Sequence, residues 1–371
     1  MNEKRIINAM FAKGLGGIEQ AFVDYTQALL LQGYDVICVV SKGAKIIKEL
    51  QDFRISELQK NLSEVPKFQN SGVQIIEISQ LGKWDFIAKI KLYNLIKKEK
   101  PIAVIAHGNR PTSLLRWACT KTKTILVSVA HNYKIKPLLS ADYIFSITQN
   151  LKNYIGGSRF PLNKIFVIPN MLKVDGSWLM VDRKNHQLST INHKPTIGVM
   201  ARFVKKKGVD IFLRACGALK DKGYKFNAII GGIGEEQFAL QAIRDELKLN
   251  DYVKFIGWVK DKEEFYNSID IFCLPSLHEP FGIVILEAFS YKKPIVTTNS
   301  EGPEEICENE IDCIMVEKNH SGKLAEALAK LLDDKELANK IAENGYNKLI
   351  ANYSLEKVSI ELDKALKVVI G

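Results

Sequence analysis

The chain lacks most features that would mark a membrane, metal or nucleic-acid protein. None of its apolar runs approaches the ~20 residues that a spanning helix needs, so no transmembrane helix is expected. The opening Met1-Asn2-Glu3-Lys4-Arg5-Ile6-Ile7 passes straight into a strand-like run, with no apolar core long enough for a signal peptide. The six cysteines, at 38, 119, 216, 273, 307 and 313, form no Cys-x-x-Cys. Several lie in apolar surroundings, so buried free thiols in a reducing cytoplasm are expected rather than disulfides or a zinc site. There is no Asp-x-Asp, and no His, Cys and carboxylate cluster at ligand spacing, so no metal is expected. Zinc fingers and aromatic RNA-binding signatures are missing too, and nucleic acid is not an expected partner.

What is present is an ordinary globular composition, 46% hydrophobic and 25% charged. A length of 371 residues favours two domains. Charge is placed unevenly. Residues 1–180 carry 25 basic against 13 acidic side chains, and residues 181–371 carry 27 against 29. The basic excess belongs to the first half, which should attract anionic lipid or a phosphorylated acceptor.

Both halves alternate strand and helix. In the first, strands are expected at Arg5–Met10, Tyr34–Val40, Val73–Ile78, Ile102–Ala106, Thr124–Val129, Tyr143–Ile147 and Ile165–Ile168. Near-continuous apolar strands of this kind belong in a doubly covered parallel sheet. Residues 171–195, with Gly176, Trp178 and Pro195, read as a connection. A second series follows, with strands at Thr196–Met200, Phe226–Ile230, Val253–Ile256, Ile269–Leu274, Pro294–Thr298 and Cys313–Val316. Helices are expected at Ile18–Leu31, Val209–Lys220, Glu235–Leu247, Ile283–Ser290, His320–Leu332, Lys335–Ile350 and Ser354–Ile370, the last with Ser354 as N-cap. Repeated βα units predict two doubly wound α/β domains, 1–175 and 192–353.

The most informative segment is Glu279-Pro-Phe-Gly-Ile-Val-Ile-Leu-Glu287. Gly282 lets the backbone approach a ligand. The N–H groups that open the next helix, on Ile283 and Val284, suit a phosphate. Glu279 and Glu287 then reach polar groups on either side of it. A sugar joined to a nucleoside by a diphosphate offers such groups at both ends. Basic groups lie at another strand end: Arg202, after Thr196–Met200, and Lys207. Arg presents a rigid fork of donors and Lys a mobile point charge, and both neutralise a diphosphate. Lys205 and Lys206 read as solvated. Glycine turns close other strands: Gly14 to Gly17 before Glu19, and Gly231-Gly232-Ile233-Gly234. A dinucleotide fingerprint wants Gly where Glu19 stands, so the NAD reading is weak. Phe255-Ile-Gly-Trp-Val259 ends a further strand, with Trp258 expected to pack. His107 and His131 both stand at strand ends. Residues 83–98 form a basic, aromatic, amphipathic segment, expected to pack on the sheet with its lysine face free for lipid headgroups.

The segment Glu279 to Glu287 resembles the Glu-x7-Glu motif of retaining GT-B glycosyltransferases of family 4, the glycosyl transferases group 1. Gly198-x-x-x-Arg202 with Lys207-Gly208, the Gly16-Gly17-x-Glu19 loop, the Gly232-x-Gly234 turn, the strand ending in Val259 and the strand ending in His131 are similar to other family elements in the same order. Val167-Ile-Pro-Asn170 resembles Val-x-x-Asn-Gly with Met171 in place of Gly. Glu301 stands where the family's Gly-Gly-x-x-Glu segment usually has its first Gly. The resemblance implies a GT-B architecture, two Rossmann-like domains facing a cleft, with helix 354–371 crossing back to the first domain. It implies sugar transfer from a UDP-, GDP- or ADP-linked donor to an acceptor hydroxyl, with retention, no metal and no other cofactor. Glu279, His131, Arg202 and Lys207 would be catalytic. Gly16, Gly17, Arg202, Lys207, Gly232, Gly234, Val259, Phe281, Gly282, Ile283, Val284 and Glu287 would bind the donor, and Lys13, His107 and Arg110 the acceptor. A lipopolysaccharide-core or capsule-type acceptor is expected, as a saccharide or glycolipid. So is a cytoplasmic protein that docks on the anionic inner face of the cell membrane. A nucleotide-sugar 2-epimerase on the same fold and a non-catalytic nucleotide-sugar-binding protein are the alternatives.

Overall fold

The computed structural model describes residues 4–14, 16–51, 73–79, 85–174 and 194–371. Lys83, Trp84, Gly176, Trp178 and the expected domain limits at 175 and 192 lie outside them. The chain divides into two compact units, Met1–Lys173 with Tyr353–Gly371, and Val174–Asn352.

Unit 1 is built on strands β1 (Arg5–Met10), β2 (Asp35–Ser41), β3 (Gln74–Ile78), β4 (Ala103–His107), β5 (Ile125–Ala130), β6 (Tyr143–Ser146) and β7 (Ile165–Val167). They pair in the order β3-β2-β1-β4-β5-β6-β7, all parallel. Its helices are α1 (Gly17–Leu31), α2 (Ile46–Gln51), α3 (Phe86–Glu99), α4 (Asn109–Thr122) and α5 (Gln149–Gly157). Side chains alternate between two cores, as the strand period of two requires. Ile6, Met10, Val36, Cys38, Val40, Ile105, Val127 and Val129 pack with α1. Ile7, Ala9, Ile37, Val39, Val104 and Ala106 pack with α3 and α4. Covering both faces is what makes these strands read as unbroken apolar runs.

Unit 2 holds β8 (Thr196–Met200), β9 (Asn227–Gly231), β10 (Val253–Gly257), β11 (Ile271–Leu274), β12 (Ile295–Thr298) and β13 (Ile314–Val316), paired in parallel as β10-β9-β8-β11-β12-β13. Its helices are α6 (Val209–Asp221), α7 (Gln237–Glu246), α8 (Lys262–Asn267), α9 (Ile283–Ser290), α10 (Pro303–Ile306), α11 (Ser321–Asp333) and α12 (Lys335–Lys348). Numbered within each unit, both sheets run 3-2-1-4-5-6, with a seventh strand added at the end in unit 1, the doubly wound order whose ligands bind at the carboxyl ends of the strands. Two boundaries moved for identifiable reasons. β11 starts at Ile271, because the Ile269 N–H still bonds to the Tyr266 carbonyl at 3.5 Å, in the turn that closes α8. α7 starts at Gln237, because Glu236 N–H donates to the Phe203 carbonyl at 3.1 Å and holds the preceding turn down.

A π-helical turn at Leu349–Tyr353 ends the run of α12 and leads into α13 (Leu355–Ile370), which belongs to unit 1. Ser354 caps it, its Oγ accepting from Lys357 N–H at 3.4 Å. Leu355, Val358, Leu362, Ala365, Leu366 and Val369 recur at helical spacing and enter the core on the α1 side. Burial contributes about 2 kcal/mol for each leucine among them. Gln32 Nε2 donates to Ser359 Oγ at 2.9 Å and the Tyr34 hydroxyl to Asp363 Oδ1 at 2.9 Å, which fixes the register of α13 on unit 1.

Candidate active site

In unit 2 a 3₁₀ turn, Lys205–Lys207, is stitched to the loop after β11. The Lys206 carbonyl accepts from Leu277 N–H at 2.8 Å and from His278 N–H at 3.2 Å. The two segments touch at Gly208, where φ is +62° and a Cβ would overlap the Pro275 carbonyl oxygen. Only glycine fits such a position. That approach delivers Lys207 Nζ to Glu279 Oε2, so the expected lysine and carboxylate form an ion pair. Glu301, which stands at an expected glycine position, braces the same loop. Its Oε2 accepts from Glu279 N–H at 3.1 Å, and its Oε1 lies 3.0 Å from His278 Nδ1. Burial alone would raise the Glu301 carboxyl; the hydrogen bonds from His278 and from backbone N–H groups outweigh it and hold the carboxyl below its ordinary range.

Gly282 opens α9 at φ +92°. Ile285 N–H bonds to the Gly282 carbonyl at 2.8 Å, and the N–H groups of Ile283 and Val284 have no backbone acceptor among the described residues. These are the unsatisfied donors that a helix start offers to an anion. Phe281, just before them, is buried. Glu287 lies on α9 among Ile285, Leu286, Ala288 and Phe289, and is only 4% exposed. A carboxylate buried there needs partners. Lys262 Nζ meets its Oε1 at 2.7 Å and the Tyr266 hydroxyl its Oε2 at 3.2 Å. Burial and the Glu287 charge push the Tyr266 phenol well up, so it stays protonated as a donor. Neither partner stands in a recognisable motif.

The glycine turn after β9 has a packing reason. A Cβ on Gly232 or Gly234 would overlap the backbone oxygens of Ala201 or Phe203, and one on Gly231 would overlap Val259. Val259 therefore lies over the turn. Trp258, expected to pack, is instead 51% exposed.

In unit 1 the structure brings His107 and His131 together. His107 Nδ1 lies 3.2 Å from His131 Nε2, and His107 Nε2 lies 2.9 Å from Asn8 Oδ1. An acceptor contact by His107 is therefore corrected: the ring is buried and both nitrogens are engaged. Asn8, a lone polar residue in an apolar strand, was the signal for this cluster. Arg110, exposed in the first turn of α4, reaches the Phe11 carbonyl at 3.4 Å. Lys13, also exposed, lines a cavity of about 460 Å³ with Lys42 and Lys91. Gly16 caps α1 in extended backbone, and Gly17 is its first residue. Met171 is fully buried in the unit 1 core.

Burial lowers the His131 imidazole from 6.5 to about 4 and the His107 imidazole well below its ordinary value. A lowered pKa in the folded state means that the unfolded chain takes up the proton first. Stability from neutral His131 is therefore present above about 6.5 and lost as pH falls through about 4. For a buried group the loss is about 3 kcal/mol. Urea midpoints measured from pH 7.5 to 4.5 should fall less steeply for His131→Gln than for the wild type. Equal slopes would show that His131 is not buried as a neutral ring.

Residues 181–348 match the family described as Glycosyl transferases group 1. Over that stretch the chain is similar to the glycosyltransferases of group 1. The lipopolysaccharide core biosynthesis glycosyltransferase LpsE of Rhizobium meliloti is 25% identical over 346 residues, 93% of this chain and 94% of that one. The capsular polysaccharide biosynthesis glycosyltransferase CapM of Staphylococcus aureus is 29% identical over 235 residues, 61% of each chain. Anabaena HepE, solved with UDP and glucose, superposes with a TM-score of 0.77 at 16% identity over 99% of this chain and 100% of its own. The fold is GT-B.

Unit 2 also has a cavity of about 770 Å³, lined by Arg202, Val204, Lys205, Lys206, Lys207, Glu235 and Glu236. Lys207 thus belongs both to this basin and to the pair with Glu279. Lys205 and Lys206 are exposed, as expected of solvated charges. All six cysteines are free and buried. Cys307 and Cys313, scattered in sequence, converge with Asp312 so that their ligand atoms lie within 4.8 Å of one another. The Asp312 oxygens are engaged by Lys348 and by Glu308 N–H, which leaves this trio a poor metal cradle.

Proposed function

We propose that this glycosyltransferase moves a sugar from a nucleotide-diphosphate sugar to an acceptor hydroxyl with retention of configuration, without a metal or further cofactor. The observation that carries the reading is the geometry around α9: Glu279 paired with Lys207 on the loop before it, free N–H groups at its start, and Glu287 held on its buried face. Loss of the diphosphate builds negative charge on the leaving group. Arg202, Lys207 and the Ile283 and Val284 N–H groups supply preorganised positive charge for it, often the largest catalytic contribution. Gly232, Gly234 and Val259 line the nucleotide, Glu287 binds ribose hydroxyls, Glu279 orients the sugar and His131 contacts a sugar hydroxyl. The leaving phosphate oxygen helps take the acceptor proton in a front-side reaction. A screen of UDP-, GDP- and ADP-sugars by ligand-induced melting shift tests donor binding. One class should raise Tm with EDTA present, and no shift from any class would overturn the reading.

The roles named for LpsE and CapM support a lipopolysaccharide-core or capsule-type acceptor, as a saccharide or glycolipid. Lys13 and Arg110 remain its proposed contacts. Helix α3 supports docking of this protein on the anionic inner face of the cell membrane. It packs on unit 1 through Ala88, Leu92 and Ile96. Phe86 and Ile87 are 65% and 68% exposed, and Trp117 on α4 is 36% exposed, among Lys89, Lys91, Lys97 and Lys98. Each lysine near an anionic surface contributes about 1 kcal/mol, screened over roughly 8 Å. Sedimentation with anionic vesicles should fall steeply with salt, and Ile87→Ser with Lys91→Gln should weaken it further. Equal sedimentation with neutral vesicles would exclude charge-driven docking.

A further inference from the structure

We infer that Asn8 and His107 are positioning residues that fix His131 as its Nε2–H tautomer, so that His131 meets its ligand as a hydrogen-bond acceptor through Nδ1. This rests on the reading of His131 as a sugar contact. The chain of bonds behind His131 has one end that cannot be reversed. The Phe22 carbonyl on α1 only accepts, and the Thr26 hydroxyl donates to it at 2.9 Å. Asn8 Nδ2 lies 3.0 Å from Thr26 Oγ1 and 3.3 Å from the same Phe22 carbonyl. With its proton on Phe22, Thr26 Oγ1 is an acceptor toward Asn8. Both neighbours therefore demand the amide NH₂. A flipped amide would set Oδ1 against the Phe22 carbonyl with no proton between them.

Asn8 Oδ1 consequently faces His107 Nε2 at 2.9 Å, and that nitrogen carries the hydrogen. A neutral imidazole has a single N–H. His107 Nδ1 is then bare and must accept, and the donor 3.2 Å away is His131 Nε2. His131 Nδ1 is left with its lone pair and with no partner among the described residues. Packing holds the arrangement. The two rings stack with centroids 5.3 Å apart, and His107 meets Phe22 and Tyr25 edge-on at 5.4 and 4.9 Å. Burial keeps both rings neutral, so the doubly protonated His107 that would reverse the direction is not populated near neutrality. Asn8, His107 and His131 share the sheet face covered by α1, on three adjacent strands or their ends.

The direction of the relay selects a ligand chemistry. A lone-pair nitrogen takes a hydroxyl or N–H and repels a carboxylate or phosphate oxygen. The group recognised at His131 is therefore a sugar hydroxyl, not the carboxylate of a uronic acid.

Ring ¹⁵N correlations of histidine-labelled protein at pH 7.5 test this directly. Both rings should carry the proton on Nε2, and a proton on Nδ1 of either ring would overturn the inference. Asn8→Leu should redistribute the proton on both rings and lower kcat about tenfold, the worth of one hydrogen bond. It should leave KM for the nucleotide sugar within about twofold. Unchanged tautomers in folded Asn8→Leu would overturn the inference. Should that variant not fold, His107→Asn and His107→Leu decide. The Asn carbonyl replaces Nδ1 as acceptor, so His107→Asn should keep the His131 tautomer and most turnover, and His107→Leu neither. Equal loss in both would contradict the relay. The underlying reading fails separately: full turnover of His131→Ala would remove His131 as a sugar contact without altering the wild-type tautomers.

Discussion

Arg202→Ala and Lys207→Ala are each expected to lower kcat by roughly 10²–10³-fold, the loss seen when one preorganised donor is removed from a developing anion. The two residues reach the proposed diphosphate from neighbouring positions. Arg202 follows β8 on the wall of the unit 2 basin and makes no ion pair among the described residues. Lys207 is delivered by the 3₁₀ turn and pairs with Glu279. The fold should survive both changes, since Arg202 is exposed, the Lys207 N–H donates to the Val204 carbonyl at 2.9 Å and the Gly208 N–H closes the turn on the Lys205 carbonyl at 3.1 Å. Removing Lys207 also leaves Glu279 uncompensated on a nearly buried loop. Glu279→Gln in the Lys207→Ala background should therefore recover stability but not turnover. Near-normal kcat in both single variants, each still folded at the assay temperature, would remove them from the mechanism.

Gly208→Ala should destabilise unit 2 by roughly 2–5 kcal/mol, combining a left-handed backbone penalty with overpacking. The added methyl would overlap the Pro275 carbonyl oxygen, and relief requires parting the segments joined by Lys206 and Leu277. Activity should fall with stability, because the same contact aims Lys207 at Glu279. Gly223 provides the control. Its φ is +87°, yet nothing lies within 4 Å of a Cβ built there. Gly223→Ala should thus cost only about 1–2 kcal/mol. Equal urea midpoints for the two variants would show that close approach at Gly208 is unimportant.

The alternation of strand and helix was legible because both faces of each sheet are covered. The central strands then read as largely apolar runs, while the edge strands Gln74–Ile78 and Val253–Gly257 carry exposed residues, and strand ends wander by a residue or two. Gly282 and α9 were legible for a local reason: a glycine before Ile-Val-Ile-Leu fixes where the helix can start. Pairings between distant residues were not. Lys262 and Tyr266 hold Glu287, yet each stands in a commonplace helical stretch, and tertiary packing alone selects them. His107 looked like a strand-end residue open to a ligand. It proved to be the middle of a buried relay, because the Asn8 side chain on the neighbouring strand needed a partner. Trp258 failed in the opposite sense: an aromatic residue after a strand suggested packing, and the chain turns it outward.

The most direct measurement is the anomeric configuration of the transferred sugar, read by ¹H NMR of the product formed with EDTA present. The donor should be whichever nucleotide sugar raises Tm most. Retention of the donor's anomeric configuration, with transfer persisting in EDTA, is the predicted result. An inverted product, or transfer lost in EDTA and restored by Mg²⁺ or Mn²⁺, would contradict the proposed mechanism.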